Sequence, residues 1–385
     1  MIRQSFLFLA ALLCAAEVTA QDWVLIDSPA NPNRYFEALA CSADGATVVC
    51  AQVEYTNVID AVFTSTNWGA TWITNEVSSR GGWTTGCSAD GTTLLVMSGS
   101  VVYSSTNSGI SWRSNYVPGT AWYSVAGSGD GRRWFASASG GESEEPLYLS
   151  QDSGATWSPV APTNYWLQVA SSADGNVLVA AGFYGAIIST NGGSSWRWAL
   201  TNVLEGCVCS VDGKRITLVG HQIICRSDDF GSTWSFQSVA ANLSQVSASA
   251  DGKELAAVSH HTPGSVYLSK DGGDTWTSDG TPILNWRQTV FSADGNRAYA
   301  IGDRKLYTQV KTPRPRIEPA RSGNNLALAW TIASMPFTIQ ENSGLVSTNW
   351  FDVSTEMQFN SSSLKHTTIV VPVGGQKFYR LSLAP

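Results

Sequence analysis

Six octets of the pattern S-x-D/N-x-G-x-T/S-W recur along this chain: STNWGATW (65–72), STNSGISW (105–112), SQDSGATW (150–157), STNGGSSW (189–196), SDDFGSTW (227–234) and SKDGGDTW (269–276). Their closing tryptophans, Trp72, Trp112, Trp157, Trp196, Trp234 and Trp276, are spaced 40, 45, 39, 38 and 42 residues apart. A period this regular means that one supersecondary unit is stacked repeatedly, and it constrains the fold before any local motif does.

A second signal runs in phase with the first. Seven S-x-D-G turns begin at Ser42, Ser88, Ser128, Ser172, Ser210, Ser249 and Ser292. Asp-Gly between short apolar runs is a strong hairpin signal, because glycine takes the positive φ that a tight turn requires. Each repeat therefore reads as a strand, the S-x-D-G turn, a second strand (TVVCA, TLLVM, VLVAA, ITLVG, ELAAV), a third (AVFTS, VVYSS, LYLSQ, AIIST, IICRS, VYLSK), the octet, and a fourth strand starting at its tryptophan. Four antiparallel strands in about forty residues make one blade of a β-propeller.

Every part of the octet serves as a fold device. Its third residue, Asn67, Asn107, Asp152, Asn191, Asp229 or Asp271, can accept hydrogen bonds from the backbone of its own turn. The glycine relieves the backbone, the Ser/Thr hydroxyl ties the turn to the next strand, and the tryptophan buries a large ring between sheets. This motif resembles the Asp-box, or BNR, repeat of sialidases, xyloglucanases, sortilin-type receptors and the photosystem II stability/assembly factor family. The resemblance covers residues 21 to about 310 and implies a sialidase-like propeller, with the assembly-factor type nearest. Members of that type act by binding other proteins, but the Arg patch of its photosynthetic members has no clear match here.

Seven turns and six octets leave one blade incomplete. RAYAIG and KLYTQV follow the last turn, then KTPRPRIEP breaks the pattern. The segment from Asp22 and Trp23 matches those that follow the octet tryptophans, so the N-terminal strand should close the last blade beside residues 304–310. The expectation is an all-β, seven-bladed ring over 21–310 with no free edge at its junction. A Pro-rich linker should span 311–320, and a small sandwich-like β module 321–385. That module resembles those appended to secreted bacterial proteins, and implies no chemistry.

Residues 1–20, with Arg3, the apolar FLFLAALLCAA and Val18-Thr19-Ala20, read as a secretory signal cleaved near Ala20. The mature protein is expected to be secreted or periplasmic, monomeric, and without membrane insertion. A formal net charge of −7, without runs of Lys or Arg, argues against nucleic acid as a partner. Six cysteines follow the signal: Cys41, Cys50, Cys87, Cys207, Cys209 and Cys225. Disulfides are permitted in an oxidising compartment, Cys41–Cys50 foremost. Yet Cys41, Cys87 and Cys209 precede S-x-D-G turns at one equivalent position, which favours buried thiols.

The two motif turns should share one face, leaving the variable loops 52–60, 137–146, 182–185 and 259–265 on the other. Variable loops on a rigid scaffold are where binding sits. Aromatics lead into the first strand of several blades: Tyr35, Phe36, Trp83, Trp122, Tyr123, Tyr165, Trp166 and Trp286. Of these, Tyr35, Trp83, Trp122, Trp166 and Trp286, with Tyr184 from a loop, are the candidate stacking platforms for a protein or carbohydrate ligand. Inter-blade packing is the competing reading, since Leu204 and Leu243 hold the same place in two blades. No catalytic residue, metal site or cofactor is expected: His260 and His261 would point apart on a strand, and Glu142, Glu144 and Glu145 do not form a calcium loop. Sialidases are six-bladed, and their F/Y-R-I-P motif is missing, only Arg34 in NPNRYF standing before the first octet. A glycoside hydrolase or lyase remains the alternative. It would need paired carboxylates on the variable face, drawn from Glu54, Asp60, Glu142, Glu144, Glu145 and Glu205.

Overall fold

A computed structural model describes residues 23–26, 34–54, 59–78, 83–117, 122–138, 144–259, 263–278, 283–310, 318–322, 325–331, 337–342, 351–353, 358–360, 365–370 and 378–383. The signal segment 1–20 and the loop residues Glu142, His260 and His261 lie outside them. Among the described residues there are strands and no helix. Seven antiparallel sheets are blades of a propeller, paired in chain order from the channel outward. Their inner strands are Arg34–Cys41, Trp83–Cys87, Trp122–Gly127, Trp166–Ser171, Leu204–Cys209, Gln245–Ala248 and Trp286–Phe291. These pack side by side around a central channel, the seventh against the first. In blade 5 one extended segment, Ile216–Ser227, supplies both the second and third strands, and Gln222 takes φ 56 where it turns.

The ring closes where the sequence requires it. Val24–Leu25 adds to the outside of blade 7, with Val24 opposite Thr308 and Leu25 opposite Tyr307. The Ile26 N–H continues the ladder to the Leu306 carbonyl at 2.9 Å. Trp23 is buried there, its ring 5.7 Å from that of Trp286, which in turn meets Tyr307 at 5.3 Å.

Large side chains fill the wedges between blades. Trp134 is fully buried against Gly86 and Gly127; a Cβ at either glycine would fall 2.3 or 2.5 Å from an indole carbon, so only hydrogen fits.

Both motif turns lie on one face and are bonded to each other. In the first S-x-D-G turn the Ser42 hydroxyl donates to Asp44 at 2.5 Å and accepts the Thr47 N–H at 2.9 Å. In the first octet, Asn67 Oδ1 accepts the Thr71 N–H and the Ser65 hydroxyl, while Ser65 Oγ accepts the Gly69 N–H. The same set recurs around Asp152, Asp229 and Asp271, where the Thr hydroxyl also donates to the carboxylate. Trp112, Trp157, Trp234 and Trp276 each donate their indole N–H to the octet glycine carbonyl. An N–H of each octet turn reaches the S-x-D-G turn of its own blade, as from Trp68 to Ala46 at 2.9 Å.

The S-x-D-G turns join one another as well. The N–H of Ala43 donates to the Ala89 carbonyl, and the chain of bonds continues through Gly129, Ala173, Val211, Ala250 and Ala293 back to Ala43, each at 2.6–2.9 Å. Seven main-chain hydrogen bonds thus run head to tail round the channel.

The inner strands also need partners where they splay apart. At the seam of blades 7 and 1, the Gln288 amide donates to the Leu39 carbonyl at 2.8 Å and accepts the Leu39 N–H at 3.0 Å. Gln245 does the same for Thr289, and Gln168 accepts the Cys207 N–H. A side-chain amide presents an N–H donor beside a C=O acceptor, as a strand edge does.

All six described cysteines are free thiols, Cys41 and Cys50 included. Cys41, Cys87 and Cys209 line a cavity of about 190 Å³ at the S-x-D-G end of the channel. Burial pushes Cys41 and Cys209 up to about 12. Beyond the ring, the remaining strands form two antiparallel sheets, one of four strands and one of three. The first of these strands, Glu318–Ser322, starts inside the stretch read as linker. It is an edge strand, where Pro319 is tolerated because an edge amide needs no partner.

Candidate binding face

The inner strands are irregular at their variable-face ends. In five blades the pairing with the second strand skips one residue: Glu37, Tyr123, Leu167, Glu205 and Arg287. A β-bulge of this kind re-aims a side chain without disturbing the rest of the ladder. The residue before each bulge, Phe36, Trp122, Trp166, Leu204 or Trp286, is buried between blades. At the seam of blades 7 and 1 the bulged residues Arg287 and Glu37 leave that packing and line an open cavity.

Charges meet there. Arg287 donates from Nε to the Glu37 carbonyl at 3.0 Å and sets Nη2 3.6 Å from the Glu37 carboxylate, across the blade 7–blade 1 seam. In blade 5, Glu205 lies 3.2 Å from Nε2 of His221. Tyr123 is 47% exposed. Burial raises its hydroxyl above the usual tyrosine value, Arg287 pulls it back and Glu205 pushes it up. Arg287 of blade 7 and Glu205 of blade 5 thus both act on this hydroxyl of blade 3.

A cavity of about 500 Å³ opens at the seam of blades 7 and 1. Tyr35, Glu37, Asn285, Arg287, Asp303 and Arg304 supply its polar rim, over buried Phe36, Trp286 and Ile301. The Arg304 guanidinium lies 4.6 Å from the centre of the Tyr35 ring, within cation–π range. Asp303 accepts the Asn285 N–H at 3.0 Å and its side-chain N–H at 2.9 Å. These bonds hold the Asp303 carboxyl below the ordinary range, so it is anionic at neutral pH. Asp303 and Arg304 form a two-residue turn with φ 43 and 67, a left-handed conformation that side chains other than glycine rarely adopt.

The expected aromatics are dispersed. Trp122 and Trp166 are buried in inter-blade cores, at 3% and 0% exposure, and offer no open ring to a ligand. Trp286 is buried likewise but floors the seam cavity, and Tyr35 stands in its wall. Tyr184 is 55% exposed in the tight turn Phe183–Tyr184 of blade 4, beside Tyr165. The side chains of Trp83, Glu54 and Asp60 lie outside the described residues. Sequence reasoning named Glu205 but passed over Glu37 and Arg287. The signal was a charged residue directly after an inter-blade aromatic, Glu37 after Phe36 and Arg287 after Trp286.

Among the described residues, no three His, Cys, Asp or Glu side chains group as a metal site, and no helix is long and apolar enough to cross a membrane. The architecture defines a seven-bladed β-propeller. No protein-family model matches this chain, and no curated protein is significantly similar to it.

Proposed function

We propose that this propeller is a binding scaffold of the Asp-box type, exported as a monomer, whose protein or glycan ligand docks on the variable-loop face. The observation that carries this reading is the state of the acids at the mouth. Glu37 is engaged by Arg287, Glu205 by His221 and Asp303 by Asn285. Glycoside hydrolysis needs a protonated acid opposite a free carboxylate. Asp303, held ionised, is unsuited to give a proton. Carboxylates engaged in this way on a rigid ring instead supply oriented acceptors beside the donors that hold them, which is what recognition requires. The octets support the Asp-box assignment through their repeated Ser–Asp/Asn–Gly–Trp bonding.

The test is a glycan array and a displayed peptide library, run beside turnover assays on polysaccharides. Binding without turnover is expected. Hydrolysis that disappears in Glu37→Gln or Glu205→Gln would replace the scaffold with an enzyme.

A further inference from the structure

We infer that the cavity at the seam of blades 7 and 1 is a subsite for one neutral sugar ring of a glycan. This rests on the binding-scaffold reading and narrows it. The polar rim carries two carboxylates, Glu37 and Asp303, and two guanidinium groups, Arg287 and Arg304, so its formal charges cancel. Carboxylates only accept hydrogen bonds and guanidinium groups only donate them, whereas each sugar hydroxyl does both. Vicinal hydroxyls therefore match an alternating rim of this kind without disturbing an ion pair. A carboxylated or phosphorylated ligand would have to draw Arg287 from Glu37, 3.6 Å away, or Arg304 from the Tyr35 ring, 4.6 Å away. Tyr35 adds an aromatic wall for the C–H face of the ring.

A peptide finds less to hold. Strand addition needs free main-chain groups, but Gln288 occupies both those of Leu39, and the Phe36 N–H is bonded to the Arg304 carbonyl at 3.2 Å. The apolar floor offers no recess for an anchor, since Phe36, Trp286 and Ile301 are 1–2% exposed. The turn beside the cavity points the same way. Asp303 and Arg304 hold left-handed backbone angles where Asp-Gly would relax, and backbone strain of this kind gathers at ligand clamps. What the strained turn secures is Asp303 on Asn285 and Arg304 over Tyr35.

An array of neutral gluco-, galacto-, manno- and xylo-oligosaccharides, with uronate-bearing counterparts and a displayed peptide library, tests this directly. The strongest neutral oligosaccharide is then titrated by calorimetry into the full-length protein, into Tyr35→Ala and Arg304→Gly, and into Ile110→Ser as a control on the opposite face. The expected result is neutral-glycan binding weakened tenfold or more by either seam substitution and unchanged by Ile110→Ser. Arg304→Gly should also raise the melting temperature, so lost binding in that variant cannot be put down to unfolding. Binding of neutral glycans that both seam variants retain would overturn the placement. Preference for uronates would overturn the ligand class. Peptide binding alone would overturn the sugar subsite and leave the scaffold reading standing, whereas failure of every probe would count against both.

Discussion

Truncating Gln288 to alanine should loosen the seam at which the ring closes. The native amide makes two bonds to Leu39, whose residue is fully buried. Each such bond contributes about 1 kcal/mol net, but leaving a buried N–H and C=O unpaired costs about 1–3 kcal/mol apiece. Channel water recovers part of this, so Gln288→Ala should destabilise by about 2–4 kcal/mol. Against a total of roughly 5–15 kcal/mol, that is a large fraction. Gln168→Ala is the internal comparison: its amide makes one bond to its neighbour's main chain, with Cys207, and should cost about half as much. Urea denaturation followed by tryptophan fluorescence measures both. A Gln288→Ala loss under about 0.5 kcal/mol, or equal losses in the two variants, would refute the view that side-chain amides replace missing strand pairing. Gln288→Glu adds a sign test. A carboxylate facing the Leu39 carbonyl must be protonated to donate, so its folded pKa lies above the unfolded value of about 4.3. Relative to wild type, this variant should be most stable below pH 4 and lose stability as pH rises.

The closing strand, the octets and the thiols give further expectations. Trp23→Ala removes a buried indole from between Trp286 and Tyr307 and should cost about 3–5 kcal/mol, read by thermal melting, with blade 7 becoming sensitive to limited proteolysis. Asp229 is pulled down to about 2 by the Thr233 N–H, the Thr233 hydroxyl and the Ser227 hydroxyl, and Asp271 to about 2 by the Thr275 hydroxyl and N–H. Their contribution is present above the unfolded pKa near 3.9 and is lost as pH falls toward 2. Asp229→Asn/Asp271→Asn should therefore flatten the fall of melting temperature between pH 4 and 2, as befits octets that already carry Asn67, Asn107 and Asn191. Cys41 and Cys209, partly accessible at the cavity but held protonated by desolvation, should react slowly with iodoacetamide in the folded protein at pH 8 and faster once it is unfolded; equally rapid native labelling would contradict the raised thiol values.

The parts that were legible in the sequence are those that repeat. Octet and S-x-D-G turn each specify a local bonding pattern, so their spacing gave blade count, strand order and faces. Closure was legible because Trp23 stands where an octet tryptophan would introduce a fourth strand. The mouth was not, because a bulge is a single-residue slip: Phe36 and Glu37 are adjacent in sequence, yet one is buried between blades and the other lines the seam cavity in the polar rim. Trp122 and Trp166 misled for the same reason, since a large ring at the start of an inner strand suits an inter-blade wedge as well as a ligand. Gln168, Gln245 and Gln288 gave no warning either, as their partners are on neighbouring blades, about 40 residues away for two of them and 249 for Gln288.

The circle of amide-to-carbonyl links under the S-x-D-G turns explains a freedom in the sequence. Ser, Asp and Gly recur at all seven turns, while the second position is Ala43, Ala89, Gly129, Ala173, Val211, Ala250 or Ala293. That wildcard residue is the one whose peptide groups fasten each blade to the next. Because the fastening asks nothing of the side chain beyond modest size, each copy is free to drift there without unlocking the assembly. A proline, lacking the N–H, is the one replacement that would cut the circle outright.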